Sequence, residues 1–517
     1  MDQQHTENTK RIAKNTLFLY GRMIFGMLVA LYTSRVILNA LGVEDFGIYN
    51  VVGGFVAMFS LISSALTSSV SRFITFELGG NNQKGLKDVF STSLLIQISL
   101  SVVILIVAET VGLWFVNYKL VIPADRIYAA NWVFQASILG FILGLMSTPY
   151  NAVIVAYEKM DIYAYLGLLQ IFLNLGIVLF IAYAPFDFDR LIVYSILMVS
   201  VGLVMQAIYW SYCYRHFQES RVLPKFNRKS WKEMSSFAGW NAIGCTAGIL
   251  KDQGVNVLLN LFFGPVVNAA RGIAGSVSGA VGQFTGNFMT AVNPQITKSY
   301  ASKDYGYMFS LVERGSRFGY YIMLILSIPV ILEAPYILTL WLKQYPENTV
   351  IFVRFVLCYS LLEVLSSTLI TLQVATGKIR NYQIAVGGLL LMNFPLSWVA
   401  LHFGAAPYAV YIVAIAVGIG CLLLRLWFLR KMCGLSMGEY MKRVIANVAL
   451  TTVCAFTIPF AVYMLMSPGL PRLIVVGIIA ILTASLSVLF VGCTYAERHF
   501  ILEKVCVLRS KLVRSAA

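Results

Sequence analysis

The sequence predicts an all-α integral membrane protein of about fourteen transmembrane helices, built as two pseudo-symmetric six-helix lobes with two further helices after them. Three observations predict it. Hydrophobic residues make up 59% of the 517 positions and charged residues only 12%, against roughly 25% charged in an ordinary soluble domain. The apolar residues gather into stretches of bilayer-crossing length almost end to end, and only lipid accommodates that much apolar surface. The chain also repeats: laid on its own second half, RVILN (35–39) falls on NVLLN (256–260), and SRFITFELGG (71–80) falls near VNPQITKSYA (292–301).

Spans are expected at 13–39, 48–77, 88–115, 127–155, 161–183 and 190–214 in the first half. The second half continues with 235–263, 268–300, 311–333, 351–376, 381–403 and 407–430, and two more spans lie at 445–466 and 472–494. The polar start MDQQHTENTKRIAKN carries no cleavage site, so the first span reads as retained. Glycine and proline inside these runs do not exclude helix, because membrane helices tolerate both. Span starts at 88, 127, 161 and 190 are echoed at 311, 351, 381 and 407. The expected domains are therefore 1–220 (spans 1–6), 221–431 (spans 7–12) and 432–517 (spans 13 and 14 with a basic tail). Parallel halves of this kind usually rock about a shared central cavity.

Net charge is +16. The basic residues alternate between loops, so topology explains them and a nucleic-acid partner is not expected. One side holds Lys10, Arg11, Lys14, Lys84, Lys87, Lys159, the run Arg221 to Lys232, and the tail Arg498 to Arg514. The other holds Lys119, Arg126, Arg190, Lys343 and Arg472. Both termini are therefore expected in the cytoplasm. The eight cysteines, Cys506 among them, form no CxxC pair, and the four histidines show no ligand spacing, so no metal site is expected.

Charged groups inside a bilayer are costly and mark function by default. Arg22 and Arg35 lie on span 1, Lys251 on span 7 and Arg271 near the start of span 8. These four are the candidates for binding an anionic group, Arg22 foremost, since it shares a helical face with Asn15, Gly26 and Thr33. Span 2 carries a hydroxyl stripe, Ser60, Ser64, Thr67, Ser68 and Ser71, and span 8 adds Gln283 and Asn287. Such a wall suits sugars, although helix packing uses the same residue types. Asp252 and Glu363 are the carboxylates well inside spans, while Glu109 and Glu333 sit near outer ends. Asp252 and Glu363 either pair with buried cations or titrate with a coupling ion, a proton or Na⁺; no other cofactor is expected.

The run NTLFLYGRMIFGMLVALYTSRVILNALGVEDFGIYNVVGGFVAMFS, followed by SSVSRFITFELG, resembles the amino-terminal signature of Wzx-type polysaccharide flippases. These belong to the multidrug/oligosaccharidyl-lipid/polysaccharide (MOP) exporter superfamily, and LGVEDFGIY at 41–49 is the most recognisable piece. The resemblance implies a MATE-like fold and movement of a polyprenyl-diphosphate-linked oligosaccharide (O-antigen, capsule or exopolysaccharide repeat) across the bacterial cytoplasmic membrane. It implies as partners membrane lipid, a polysaccharide polymerase and chain-length machinery. The multidrug branch usually carries a carboxylate in span 1; this span 1 carries arginines, which favours an anionic lipid substrate. Arginine suits a diphosphate through its planar fork.

No bond is broken in such transport, so no catalytic residue is expected, and the chain has no P-loop. Three alternatives stand beside this one. A membrane glycosyltransferase or polymerase would need catalytic carboxylates in an outer loop, where 334–350 offers Glu347. A drug antiporter of the same fold would want a span-1 carboxylate. A peptidoglycan-precursor flippase would use the same physics.

Overall fold

The computed structural model describes residues 2–57, 59–118, 122–185, 188–222, 224–263, 265–342, 345–499 and 503. The side chains of residues 2–14, Arg35 and Ser60, and all of Cys506, lie outside the described set. Among the described residues the chain is helical with no strand. The helices are α1 (Asp2–Ala57), α2 (Ser60–Gly79), α3 (Gln83–Tyr118), α4 (Ala124–Ala156), α5 (Met160–Tyr183) and α6 (Arg190–His216). Then follow α7 (Arg228–Phe263), α8 (Pro265–Ala301), α9 (Tyr305–Leu342), α10 (Thr349–Thr376), α11 (Arg380–His402) and α12 (Ala409–Cys433). The last two are α13 (Met437–Leu465) and α14 (Leu470–Gly492). Ten of them, α3–α6 and α9–α14, are long and apolar enough to cross a membrane. The repeat is visible in their spacing: α3–α6 begin at 83, 124, 160 and 190, and α9–α12 at 305, 349, 380 and 409.

Three features differ from expectation. LGVEDFGIY, expected as a turn, is helical except at Gly42, whose φ of 82° and ψ of 168° break α1 into two legs. Only glycine takes that backbone without strain. The second leg starts the second span, which α2 completes. Asp45 on that leg is held by Arg126, whose Nε reaches Asp45 Oδ1 at 2.8 Å and whose Nη1 reaches Asp189 Oδ2 at 2.5 Å. Asp189 also caps α6, accepting from the N–H groups of Leu191 and Ile192. Burial works to raise the Asp189 carboxyl, but the Arg126 hydrogen bond and charge and the two backbone N–H groups outweigh it and hold it below its ordinary value.

The other two differences concern α9. The helix runs past its expected end to Leu342, so the outer loop expected over 334–350 is shorter than its sequence suggests. It bends at Glu333, between Pro329 and Pro335, where a proline removes a ladder hydrogen bond. Glu333 itself, expected at an interface, is fully buried, and its Oε1 lies 2.8 Å from Arg472 Nε. The bend of α9 at Glu333 thus lies against the first turn of α14, where Arg472 stands.

The chain forms two compact units. The first comprises Met1–Thr246, Thr290–Tyr307 and Gly377–Gln383. Within it α1 packs on α5, and α4 on α2 and α6. Val52, Val56, Ala130, Val133, Phe134 and Ile138 belong to one buried cluster within it. The second comprises Ala247–Met289, Met308–Thr376 and Ile384–Ala517. There α10 packs on α12 and α13 on α14. The α13–α14 pair is tied to α9 by polar contacts at three levels. Arg472 meets Glu333 at one end. Tyr320 bonds Thr452 at 2.9 Å in the middle, and Tyr321 bonds Asn447. Arg317 reaches Glu497 at 2.7 Å and the Gly492 carbonyl at 3.0 Å at the other end.

Candidate functional site

The second unit contains a cavity of about 630 Å³, walled by four helices and one residue of a fifth. Each helix contributes a stripe at helical spacing, so the wall follows directly from local sequence order. From α7 come Lys251, Asp252, Val255 and Asn256. From α8 come Asn268, Arg271, Gly272, Gly275 and Ser278, with the glycines keeping that side of the helix slim. Tyr359, Ser360 and Glu363 stand on α10, Tyr411 on α12 and Asn393 on α11.

Lys251 is buried, and its Nζ donates to the Tyr359 hydroxyl at 2.8 Å. The same Nζ lies 3.4 Å from Asp252 Oδ1. Arg271 approaches Asp252 from α8, with Nη2 at 3.8 Å from Oδ1 and donating to the Asp252 backbone carbonyl at 3.3 Å. Its guanidinium carbon lies 5.8 Å from the Tyr411 ring centre. Ser278 and Ser360 share a hydrogen bond at 2.8 Å, and Asn268 Nδ2 donates to the Asn256 carbonyl at 3.1 Å. Three buried polar atoms of this wall have no protein partner: Arg271 Nη1, Asn268 Oδ1 and Asn393 Oδ1.

Of the residues singled out from sequence, Lys251, Arg271, Asp252 and Glu363 are therefore brought together around one cavity. Sequence reading sorted them into cations for an anion and carboxylates for an ion; the fold puts both kinds on one wall. Arg22 belongs to the first unit. Its guanidinium carbon lies 4.8 Å from the Tyr163 ring centre and lies flat against Gly167, where any side-chain carbon would collide with it. Arg35 falls outside the described side chains, as does Ser60.

The hydroxyl stripe of α2 is divided in its use. Ser64 and Thr67 are exposed and Ser68 and Ser71 half-buried, but the Thr67 hydroxyl donates to its own helix, to the Ser63 carbonyl at 2.8 Å. Ser69 is buried and donates to the Met234 carbonyl on α7 at 3.3 Å, which is packing. Gln283 is exposed and Asn287 half-buried on α8, and neither is among the residues that line the cavity. Tyr359, Tyr411, Ser278 and Ser360 were not singled out from sequence. Their only local signal is position: Tyr359 and Ser360 precede Glu363 by four and three residues, on its helical face. Among the described residues no group of three or more His, Cys, Asp or Glu could hold a metal ion.

Comparison with known proteins agrees with this architecture. A family model described as "Polysaccharide biosynthesis protein" matches residues 12–303. No curated protein sequence matches significantly. Among solved structures, an outward-facing multidrug resistance MATE family transporter of the MOP superfamily is similar at 14% identity and TM-score 0.66, over 82% of this chain and 96% of that one. A MATE transporter in a bent conformation gives 13% identity and TM-score 0.69, over 83% of this chain and 96% of that one. A MOP superfamily transporter from Pyrococcus furiosus, described as having a binding pocket of reverse polarity that suggests a different function, gives 14% and 0.67 over 82% and 96%. The fold is that of the MOP transporters.

Proposed function

Because the chain belongs to the polysaccharide biosynthesis protein family, we propose that it is a flippase for polyprenyl-diphosphate-linked oligosaccharide repeat units in the bacterial cytoplasmic membrane, working by alternating access. The supply of O-antigen, capsule or exopolysaccharide synthesis is the role that fits, with a polymerase and chain-length machinery acting on the product. The carrying observation is the cavity of the second unit, a site rich in charged, amide and hydroxyl groups inside helices of otherwise apolar composition. Such groups are expensive in lipid and are kept where a polar cargo must pass.

The apolar tail of the substrate stays in the bilayer while the head group crosses. Arg22 is the leading group for the diphosphate, its fork able to grip two phosphate oxygens at once. The reaction makes and breaks no covalent bond, so the protein's task is binding and rearrangement, with no catalytic residue. A proton or Na⁺ gradient supplies the direction. A drug antiporter of the same fold is a second reading, favoured by the two carboxylates in the cavity and opposed by the absence of a carboxylate in the first span. Deleting the gene separates the two. Accumulation of lipid-linked oligosaccharide in the cytoplasmic leaflet is expected. Unchanged surface glycan together with new drug sensitivity would favour the antiporter.

A further inference from the structure

We propose that the cavity of the second unit receives an uncharged sugar ring of the transported glycan, and not its diphosphate. The proposal rests on the flippase reading above and divides the head group between different binding groups.

Charge is the first reason. Lys251 and Arg271 share their cavity with Asp252 and Glu363. Asp252 Oδ1 stands 3.4 Å from one cation and 3.8 Å from the other. Two cations balanced by two carboxylates leave no net attraction for a multiply charged diphosphate, and each carboxylate repels it at close range.

Hydrogen bonding is the second. The wall presents unused groups of both kinds: a donor at Arg271 Nη1, and acceptors at Asn268 Oδ1 and Asn393 Oδ1. The Asn268 amide is oriented, because its Nδ2 donates to a backbone carbonyl that can only accept. Asn393 is only 2% exposed. An occupant that displaces water here must bring donors for two carbonyl oxygens and an acceptor for a guanidinium. Sugar hydroxyls and acetamido groups offer both. An ionised diphosphate offers acceptors alone and leaves the amide oxygens unpaired, a mismatch that polar sites reject by several orders of magnitude. Size is the third: a cavity of about 630 Å³ holds one or two rings.

The test uses full-length protein in nanodiscs, in an Arg22→Ala background so that the proposed diphosphate group is absent. Three probes are titrated: N,N′-diacetylchitobiose, trigalacturonate and inorganic pyrophosphate. The neutral disaccharide is expected to bind at least tenfold more tightly than either anion. Asn393→Leu should weaken it at least tenfold. Asp252→Asn with Glu363→Gln, which leaves the cavity with two uncompensated cations, should gain at least tenfold in pyrophosphate affinity. A gain of that kind is not produced by misfolding. Preference of the unmodified cavity for either anion, failure of the disaccharide to bind, or failure of the double variant to gain would each overturn the proposal. A parallel arm follows wild-type flipping of lipid-linked oligosaccharide in proteoliposomes. Absence of flipping there sinks the flippase reading itself, whereas flipping combined with anion preference sinks the cavity assignment alone.

Discussion

Asp252 Oδ1 lies 3.4 Å from the ammonium of Lys251, its neighbour in sequence. Arg271 reaches the same oxygen from the next helix at 3.8 Å. Asp252 is thus paired with both cations, and Glu363 lines the same cavity; we propose Glu363 as the carboxylate that exchanges an ion during the cycle. Glu363→Gln is expected to bind substrate yet lose its response to an imposed proton or Na⁺ gradient, while Asp252→Asn keeps that response. Gradient-dependent flipping in both amide variants, measured in proteoliposomes, would remove carboxylate coupling from the mechanism.

Arg22→Ala is expected to abolish surface-glycan export at normal protein levels. Arg22→Lys should recover part of it, because the charge returns without the fork. Immunoblotting of surface glycan beside membrane protein abundance decides the matter. Normal export by Arg22→Ala would make the residue a packing element between Tyr163 and Gly167.

The pair Glu333–Arg472 makes a prediction about stability. Both side chains are nearly or fully buried, at 0% and 8% exposure. Removing one partner from such a pair costs about 3–5 kcal/mol, because the other charge is left buried and alone. Arg472→Met should therefore lower the unfolding temperature in detergent strongly, and Arg472→Met with Glu333→Gln should restore most of the loss. Equal destabilisation by the single and double variants would mean that the pair is not coupled.

Orientation is tested separately. Reporter fusions at Glu44 and Tyr345 are expected to read outside, and fusions at Lys84 and Lys229 inside, from the alternation of basic loops. An inside reading at Tyr345 would break the two-lobe topology.

The helices were legible because lipid imposes one rule on every span, a long apolar run with its backbone satisfied internally. That rule placed α3–α6, α10–α12 and α14 to within a few residues, and it missed the first eight residues of α13. It failed where the cause was tertiary. Nothing local tells that α9 continues past Pro335, since Glu333 reads as an interfacial carboxylate until Arg472, far along the chain, is brought against it. Candidate residues behaved likewise. Lys251, Arg271, Asp252 and Glu363 stood out because a charge in an apolar run needs no partner to be noticed. Tyr359, Tyr411, Ser278 and Ser360 are ordinary in membrane helices and gain meaning only once four stripes face one space. Ser69, which flanks the hydroxyl stripe, serves packing against α7.

The polar ties between α9 and the α13–α14 pair also bear on how the protein is made. Arg317 and Glu333 enter the bilayer with α9, but their partners Glu497 and Arg472 are synthesised more than a hundred residues later. Until the last part of the chain is made, Glu333 and Arg317 lack these partners, and Arg317 has only Glu313, one turn away on its own helix, to offset its charge; lipid disfavours such a state. Assembly therefore ends with a charge-matching step. A chain that stops before α14 carries, in those two residues, the mark by which a membrane quality-control protease could tell it from a finished one.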